Sequence, residues 1–235
     1  MKRATETKVY RYSNIAYIID ALARGEMVLL DPSSWEDKND SQYIDLYRQY
    51  REVAGVFASC CTLSRETFHH WYIFGGSSAG AFIEYDRAEL EACLEGLKSG
   101  GHKLRYKPVK YLTLENVEKS TASLKNFPFL KRFGFQSEKE YRVIVETDDE
   151  TMTSYPIPIP IDVIRRIVIN PWLPKSVVSS LRERIRSIPG CDRLSVDHSR
   201  LIKSDRWIAA GIKKLTGHIR SKRPAYKKLR KKKAK

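Results

Sequence analysis

The sequence predicts an α+β fold with a split, mostly antiparallel β-sheet core and flanking helices. Three observations lead there. Candidate strands and helices are interleaved without the regular alternation that builds a parallel sheet. The stretch YPIPIPIDVI at 155–164 carries proline at every second position, which suits an extended edge or connector rather than a central strand. No internal repeat is present, so the elements build one folded body instead of an array.

In chain order, VYRY at 9–12 reads as a strand, and Ser13 is expected to cap a helix over 14–24 that Gly25 stops. MVLLD follows as a second strand. DPSSWEDKND is a turn-rich loop whose load of acids and an aromatic marks it as a candidate functional segment, and it leads into a polar helix near 41–52. GVFASCCT reads as a buried strand, SRET opens a helix containing Trp71, and GGSSAG at 75–80 ends it. AGAFIEYD is a strand whose Asp86 caps a helix to about Leu97. After the glycine turn at 100–101 come HKLRYKPVKYLT, a helical stretch over 114–125, the irregular NFPFLKRFGFQ and the strand EKEYRVIVET. RRIVIN is a short strand, Pro174 begins a helix to about Ser187, and LSVDHSRL closes the body.

At 235 residues the chain is long enough to bury a substantial core without covalent staples. No apolar run approaches a membrane span and the N-terminus has no signal-peptide pattern, so a cytoplasmic protein without membrane contact is expected. Cys60, Cys61, Cys93 and Cys191 lack C-x-x-C spacing, and the five histidines form no H-E-x-x-H or H-x-E pattern. No metal site is expected. Phosphate-loop, dinucleotide-fingerprint and nucleophile-elbow motifs are missing as well.

The formal charge of +15 is unevenly placed. Residues 213–235 hold twelve Lys or Arg and no acid, while the first 212 residues carry 31 basic against 28 acidic groups. The boundary is therefore drawn at 207, with 208–235 a basic tail expected to be disordered or only transiently helical. Such a tail is either a solubilising extension or an electrostatic arm for nucleic acid, an acidic protein or an anionic membrane. Nucleic acid is favoured because Tyr226 and the arginines add stacking and no amphipathic anchor adjoins the run. Its candidate contacts are Lys222, Arg223, Lys227, Lys228, Arg230, Lys231, Lys232 and Lys233.

The strand EKEYR poses the central question. Alternation places Glu138, Glu140 and Arg142 on one face, opposite Tyr141, Val143 and Val145. Two carboxylates about 7 Å apart repel unless a cation, a ligand or water lies between them. A solvated face with Lys139 and Arg142 as neutralising neighbours is one reading. A carboxylate pair for general-base work or for stabilising a developing cation is the other.

The order VYRYSN, VFASCC, RETFHHW, AGAFIEYD and KRFGFQSEKEYR resembles the bacterial domain-of-unknown-function family 2971, over roughly residues 8–205. Glu66 and Trp71 match its E-x-x-x-x-W helix; Gly80, Glu84 and Asp86 match its middle strand. Lys131, Phe135, Glu138, Glu140, Tyr141 and Arg142 match its last element. The chain departs from that pattern after Cys61, where many members carry an aromatic residue. The same order is similar to the plan of ADP-ribosyltransferases of the R-S-E type, with Arg11, Ser59 and the Glu138–Glu140 pair in the three places. Only Lys131, Arg132 and Phe133 approximate the aromatic loop with a second arginine that precedes E-x-E in that plan.

The resemblance implies an NAD-dependent enzyme acting on nucleic acid, RNA before DNA, or on a nucleic-acid-associated protein. A role in toxin or phage-defence systems, with an inhibitory or antitoxin partner, is implied in the same way. In that scheme Glu140 stabilises the positive charge that grows on the ribose, and Glu138 positions or deprotonates the nucleophile. Arg11 grips the pyrophosphate, Ser59 braces the site, and Tyr10, Tyr12 or Trp71 stacks on a ring of NAD. Each residue also has a plainer reading. Arg11 suits a surface strand position between two core tyrosines, and for Trp71 and Ser59 packing is the first reading and contact the second. For Glu140 function comes first, because an acid inside a β-favouring run conflicts with its surroundings. Two further functions stay open: a non-catalytic binding module, and a metal-dependent nuclease gathering Glu84, Asp86, Glu138 and Glu140.

Overall fold

The structure is a computed structural model that describes residues 7–75, 79–119 and 123–222. It divides into two units, Met1–Ser199 and Arg200–Lys235.

The first unit carries eleven strands and six helices among the described residues. In order they are β1 (Lys8–Asn14), α1 (Ile15–Arg24), β2 (Glu26–Leu30), α2 (Lys38–Arg51), β3 (Gly55–Thr62), α3 (Phe68–Phe74), β4 (Gly80–Asp86) and α4 (Arg87–Ser99). There follow β5 (Leu104–Pro108), β6 (Lys110–Leu112), α5 (Leu114–Glu118), β7 (Leu130–Arg132), β8 (Glu140–Thr147), β9 (Ser154–Pro158), β10 (Ile164–Ile169), α6 (Lys175–Arg186) and β11 (Ser195–His198).

Nine strands form one sheet in which only β10 and β11 run parallel. Strand β3 is where it divides. One edge of β3 pairs with β8 along its whole length, from Gly55 opposite Thr147 to Thr62 opposite Glu140. Its other edge meets β1 at Tyr10 opposite Thr62 and β2 at Leu30 opposite Ala58. From there β1 leads to β4, β10 and β11, β2 leads to β9, and β8 carries β5. The α+β class and split, largely antiparallel sheet read from the sequence are therefore present. Strands β6 and β7 form a separate parallel pair.

The sheet's two faces differ. Val9, Ile83, Tyr85, Tyr141, Val143 and Val145 pack with Ile18 and Leu22 of α1, Leu90 and Leu94 of α4, and Val178 and Ile185 of α6 in the main core. The opposite face bears two smaller clusters. Ile44 and Tyr47 of α2 cover Val56, Ala58 and Ile144, while Trp71 of α3 covers Tyr10, Phe82 and Val168. Edge strand β9 exposes Pro156 and Pro158 and buries Ile157, so its prolines withhold no hydrogen bond from the interior.

Local chemistry moved two helix starts from their expected places. β1 runs on to Asn14, and Asn14, not Ser13, caps α1 by accepting from the Ala16 N–H at 2.9 Å. Helix α2 begins at Lys38 because Asp37 accepts from the backbone of Asn39 and Asp40. That start, three residues ahead of the expected one, turns Asp40 into the protein, where it is 3 % exposed.

In the second unit, helix α7 spans Asp205–Lys222. The expectation of a disordered or transiently helical tail covers residues that are helical here as far as Lys222, and residues 223–235 lie outside the described ones. Ile208, Ile212 and Leu215 recur at helical spacing, so α7 is amphipathic, which corrects the reading that no amphipathic segment adjoins the basic run. No helix among the described residues is long and apolar enough to cross a membrane.

Glu52 closes α2 at φ +52°, in the left-handed region where a Cβ is unfavourable. Glu52→Gly is therefore expected to stabilise the protein by about 0.5–1 kcal/mol and to raise its thermal midpoint by about 1–4 °C. A lower midpoint in a melting experiment would refute this account of the cap.

Candidate active site

Residues 133–138 form a tight 3₁₀ segment, Lys139 takes φ +45°, and only then does β8 begin at Glu140. The expected strand from Glu138 is thus wrong by two residues, and simple alternation is not what brings the two carboxylates together. They meet because the turn at Lys139 aims both at Lys131 on β7. Its ammonium lies 2.7 Å from Glu138 Oε2, 3.3 Å from Glu140 Oε2 and 3.4 Å from Asp40 Oδ2.

Behind them Arg142 is completely buried, and all five of its N–H groups are used. Nε and Nη2 donate to Glu140 at 2.6 and 2.9 Å; Nη1 and Nη2 donate to Asp40 at 2.9 and 2.7 Å. Nη1 also donates to the Pro128 carbonyl at 2.7 Å, and the guanidinium lies 4.9 Å from the centre of the Trp35 ring. The solvated strand face considered from the sequence is ruled out, since Glu140 is only 4 % exposed.

Three carboxylates share two cations, and the pKa values of the two glutamates part accordingly. Burial alone raises the pKa of Glu140, but the charge and hydrogen bonds of Arg142, and then Lys131, bring it down to about 2. Glu138 moves the other way. Burial lifts its pKa, Lys131 only partly opposes this, and the charges of Glu140 and Asp40 lift it further. Lys131 loses by burial but gains more from Glu140 and Glu138, so its pKa rises and it stays an ammonium. Cys60, opposite Arg142 on β3, is exposed where it borders this group.

The Glu138 backbone is anchored separately. Thr62 Oγ1 donates to its carbonyl at 2.5 Å and His70 Nε2 lies 3.2 Å from the same oxygen. A carbonyl only accepts, so Nε2 carries the proton, leaving Nδ1 to accept from the Thr67 hydroxyl. Burial lowers the His70 pKa and keeps the ring neutral. The Glu140 N–H donates to the Tyr111 oxygen at 2.7 Å.

These groups border a cleft of about 780 Å³, walled by Tyr10 and Tyr12 of β1, Trp35 and Asp37 ahead of α2, Ile73 and Phe74 of α3, and Phe135. Among the sequence candidates, Tyr10, Tyr12, Glu138 and Glu140 meet there. Arg11 does not join them. It shares the other face of β1 with Val9, donates to the Val28 carbonyl at 3.0 Å and is not among the residues that line the cleft. Ser59 is buried opposite Val143 on the main-core face, again away from the cleft lining. Trp71 is fully buried, donates to Glu66 Oε1 at 2.7 Å and packs edge-on against Tyr12 at 5.1 Å, so it supports a wall of the cleft instead of forming one. Glu84 pairs with Lys8 and Arg166, and Asp86 caps α4 and pairs with Arg165. Strands β1 and β3 separate them from β8, about 14 Å at ordinary strand spacing, so the four acids considered as metal ligands do not converge. Lys222 ends α7, and Arg223, Lys227, Lys228, Arg230, Lys231, Lys232 and Lys233 lie outside the described residues.

Sequence reasoning missed Asp40 and Trp35. Their signal was the acid- and aromatic-rich loop ahead of α2, but nothing local says that Asp40 reaches Arg142 across 102 positions.

No family model and no curated protein matches the chain. Solved structures of DarT from Thermus sp. 2.9 are similar. The complex with ADP-ribosylated ssDNA is 13 % identical at a TM-score of 0.45, covering 85 % of this chain and 98 % of that one. The complexes with NAD+ and with carba-NAD+ are each 10 % identical at 0.42, covering 84 % and 97 %.

Two outcomes are expected. Arg142→Ala leaves Asp40 and Glu140 buried without their main partner, a loss of about 3–5 kcal/mol in urea unfolding. Because the Glu140 pKa is depressed in the folded state, its stabilisation is complete above about pH 4.5 and is lost as pH falls towards 2. Unfolding midpoints measured across that window should drop steeply for the parent protein and more shallowly for Glu140→Gln; identical slopes would exclude Glu140 as the group concerned.

Proposed function

We propose that the chain is an NAD-dependent ADP-ribosyltransferase-like enzyme acting on nucleic acid, with RNA as the first acceptor to test. The observation that carries this reading is the convergence of two oppositely tuned carboxylates at an aromatic-walled cleft. Its volume is within the range of small-molecule sites, and Tyr10, Tyr12, Trp35 and Phe135 offer ring faces for nicotinamide or adenine. The fit is good at the ring and ribose ends. For the pyrophosphate the described lining offers no arginine and only Lys131 as a cation, so the role expected of Arg11 has no counterpart there.

When bound, NAD supplies an ADP-ribosyl group that parts from nicotinamide as positive charge grows on the ribose. Glu140 is ionised at any physiological pH and held immobile by Arg142, so it faces that charge without having to reorganise. Glu138 touches Lys131 through Oε2 and has a raised pKa, which suits a base that takes the proton of the attacking acceptor group. The basic tail adds electrostatic affinity for the acceptor strand. The family resemblance adds a toxin or phage-defence role under an inhibitory partner.

One observation favours a second reading. Both oxygens of Glu140 already accept from Arg142, as a purely structural ion network would have it, and the protein is then a non-catalytic binding module.

The two readings separate in a nicotinamide-release assay run beside calorimetric titration of NAD. Glu140→Gln should cut release by at least about a hundredfold while the protein stays folded by circular dichroism. Glu138→Gln should spare hydrolysis, impair transfer, and remove the limb of the pH profile that rises as Glu138 ionises. NAD that neither binds nor turns over would select the binding module.

A further inference from the structure

Beside the cleft lies an aromatic surface that the proposed chemistry does not use. Helix α3 presents Phe68 and Tyr72 one turn apart on its outer side. Their rings stack with centroids 6.2 Å apart and planes inclined by 15°. Trp172, from the segment that follows β10, meets Phe68 edge-on at 5.6 Å. All three rings are open to solvent, at 57, 76 and 42 % exposure. Single exposed apolar residues need no explanation, but three touching rings left uncovered form a patch of the kind that marks an interaction site.

The patch is continuous with the cleft, because His69, Ile73 and Phe74 of the same helix line it. Its charged neighbours in sequence are basic: Arg65 stands three residues before Phe68 and Lys175 three after Trp172, both exposed. The nearest acid in sequence, Glu66, is turned away and accepts from Trp71 and Ser199. Aromatic faces interleaved with cations match unpaired bases on a phosphate backbone. A duplex hides its base faces in its own stack, and a second copy of this chain would set like charge against like charge.

We infer that Phe68, Tyr72 and Trp172 form a stacking platform that holds the unpaired bases of a single-stranded nucleic acid and leads the strand into the cleft. The platform deepens the transferase reading by naming the physical form of the acceptor, and rests on it for the acceptor role; strand binding is measured without it. The rings give affinity by stacking, with little sequence preference, and the tail adds a contribution that salt removes.

The test is fluorescence anisotropy of labelled 15-mers of dT and rU, and of a duplex of equal length, titrated with the full chain at a salt concentration that screens the tail. Phe68→Ala/Tyr72→Ala should weaken single-strand binding by about tenfold or more, and Trp172→Ala by a similar factor. Tyr72→Phe keeps the ring and should bind like the parent. 2-Aminopurine placed in the strand should change its emission on binding the parent and not the double variant. Single-strand binding unchanged in the double variant, or a duplex equally tight and equally sensitive, would overturn the platform. So would self-association in sedimentation that the double variant abolishes. NAD titration of the same proteins separates the two ideas: no NAD binding with intact, ring-dependent strand binding sinks the enzyme and leaves the platform. NAD binding retained with ring-independent strand binding does the reverse.

Discussion

The Arg142 guanidinium is enclosed on every side, and so many parts of the first unit meet on it that the rest of the site follows from how it is satisfied. Withdrawing such a charge from water is unfavourable by several kcal/mol unless each N–H finds an acceptor. Here the acceptors come from the start of β8, the first turn of α2 and the carbonyl of Pro128, with Trp35 against the guanidinium. Three distant segments are thereby tied to one point. Asp40 ties the loop ahead of α2 to β8, and Pro128 does the same for the segment that leads into β7. Because the network carries three carboxylates against two cations, it does not close on itself electrically, and Glu138 is the member least well compensated.

That imbalance accounts for the opposite pKa shifts of the two glutamates. Residue type is the same, and the backbone positions are two apart, yet one is driven down by a bidentate arginine and the other is driven up by burial and by its neighbours' charge. The device that makes it possible is the left-handed residue Lys139. It breaks the strand between the two acids, so Glu138 leaves the sheet's alternation and approaches Lys131 from the cleft side. Thr62 and His70 then pin the Glu138 carbonyl, which fixes the backbone behind the side chain that meets Lys131.

The split of the sheet is the larger-scale counterpart. Strand β3 pairs fully with β8 but meets β1 and β2 only at single points, so the wings diverge, and the face opposite the main core is covered by two separate clusters instead of one. The cleft draws its walls from both. Tyr10 belongs to the cluster under α3, and Asp40 lies on the helix that covers the other. An aromatic cluster, Trp71 included, stiffens the β1 wall without entering the cleft.

By itself the sequence determined most of the larger strands and helices, the antiparallel character, the extended edge role of the proline-alternating strand and the unusual placement of Glu138 and Glu140. These are encoded in local pattern: alternation, capping residues, proline geometry, and an acid in a run that otherwise favours burial. It did not give β7, which lies in the stretch read as irregular, nor the length of α5, which ends at Glu118 where a helix to 125 was expected. Tertiary structure decided the electrostatic setting of the acids, because that depends on Asp40 and Arg142 meeting across the chain and on a ring from a loop closing over them. It also decided against Arg11 and Ser59 in the cleft. Their order along the chain was right for the expected plan, but order carries no information about which face of a strand a side chain takes relative to a distant partner. Strand phase sets that, and the one-residue offset between Arg11 and its tyrosine neighbours turns it to the other side of the sheet.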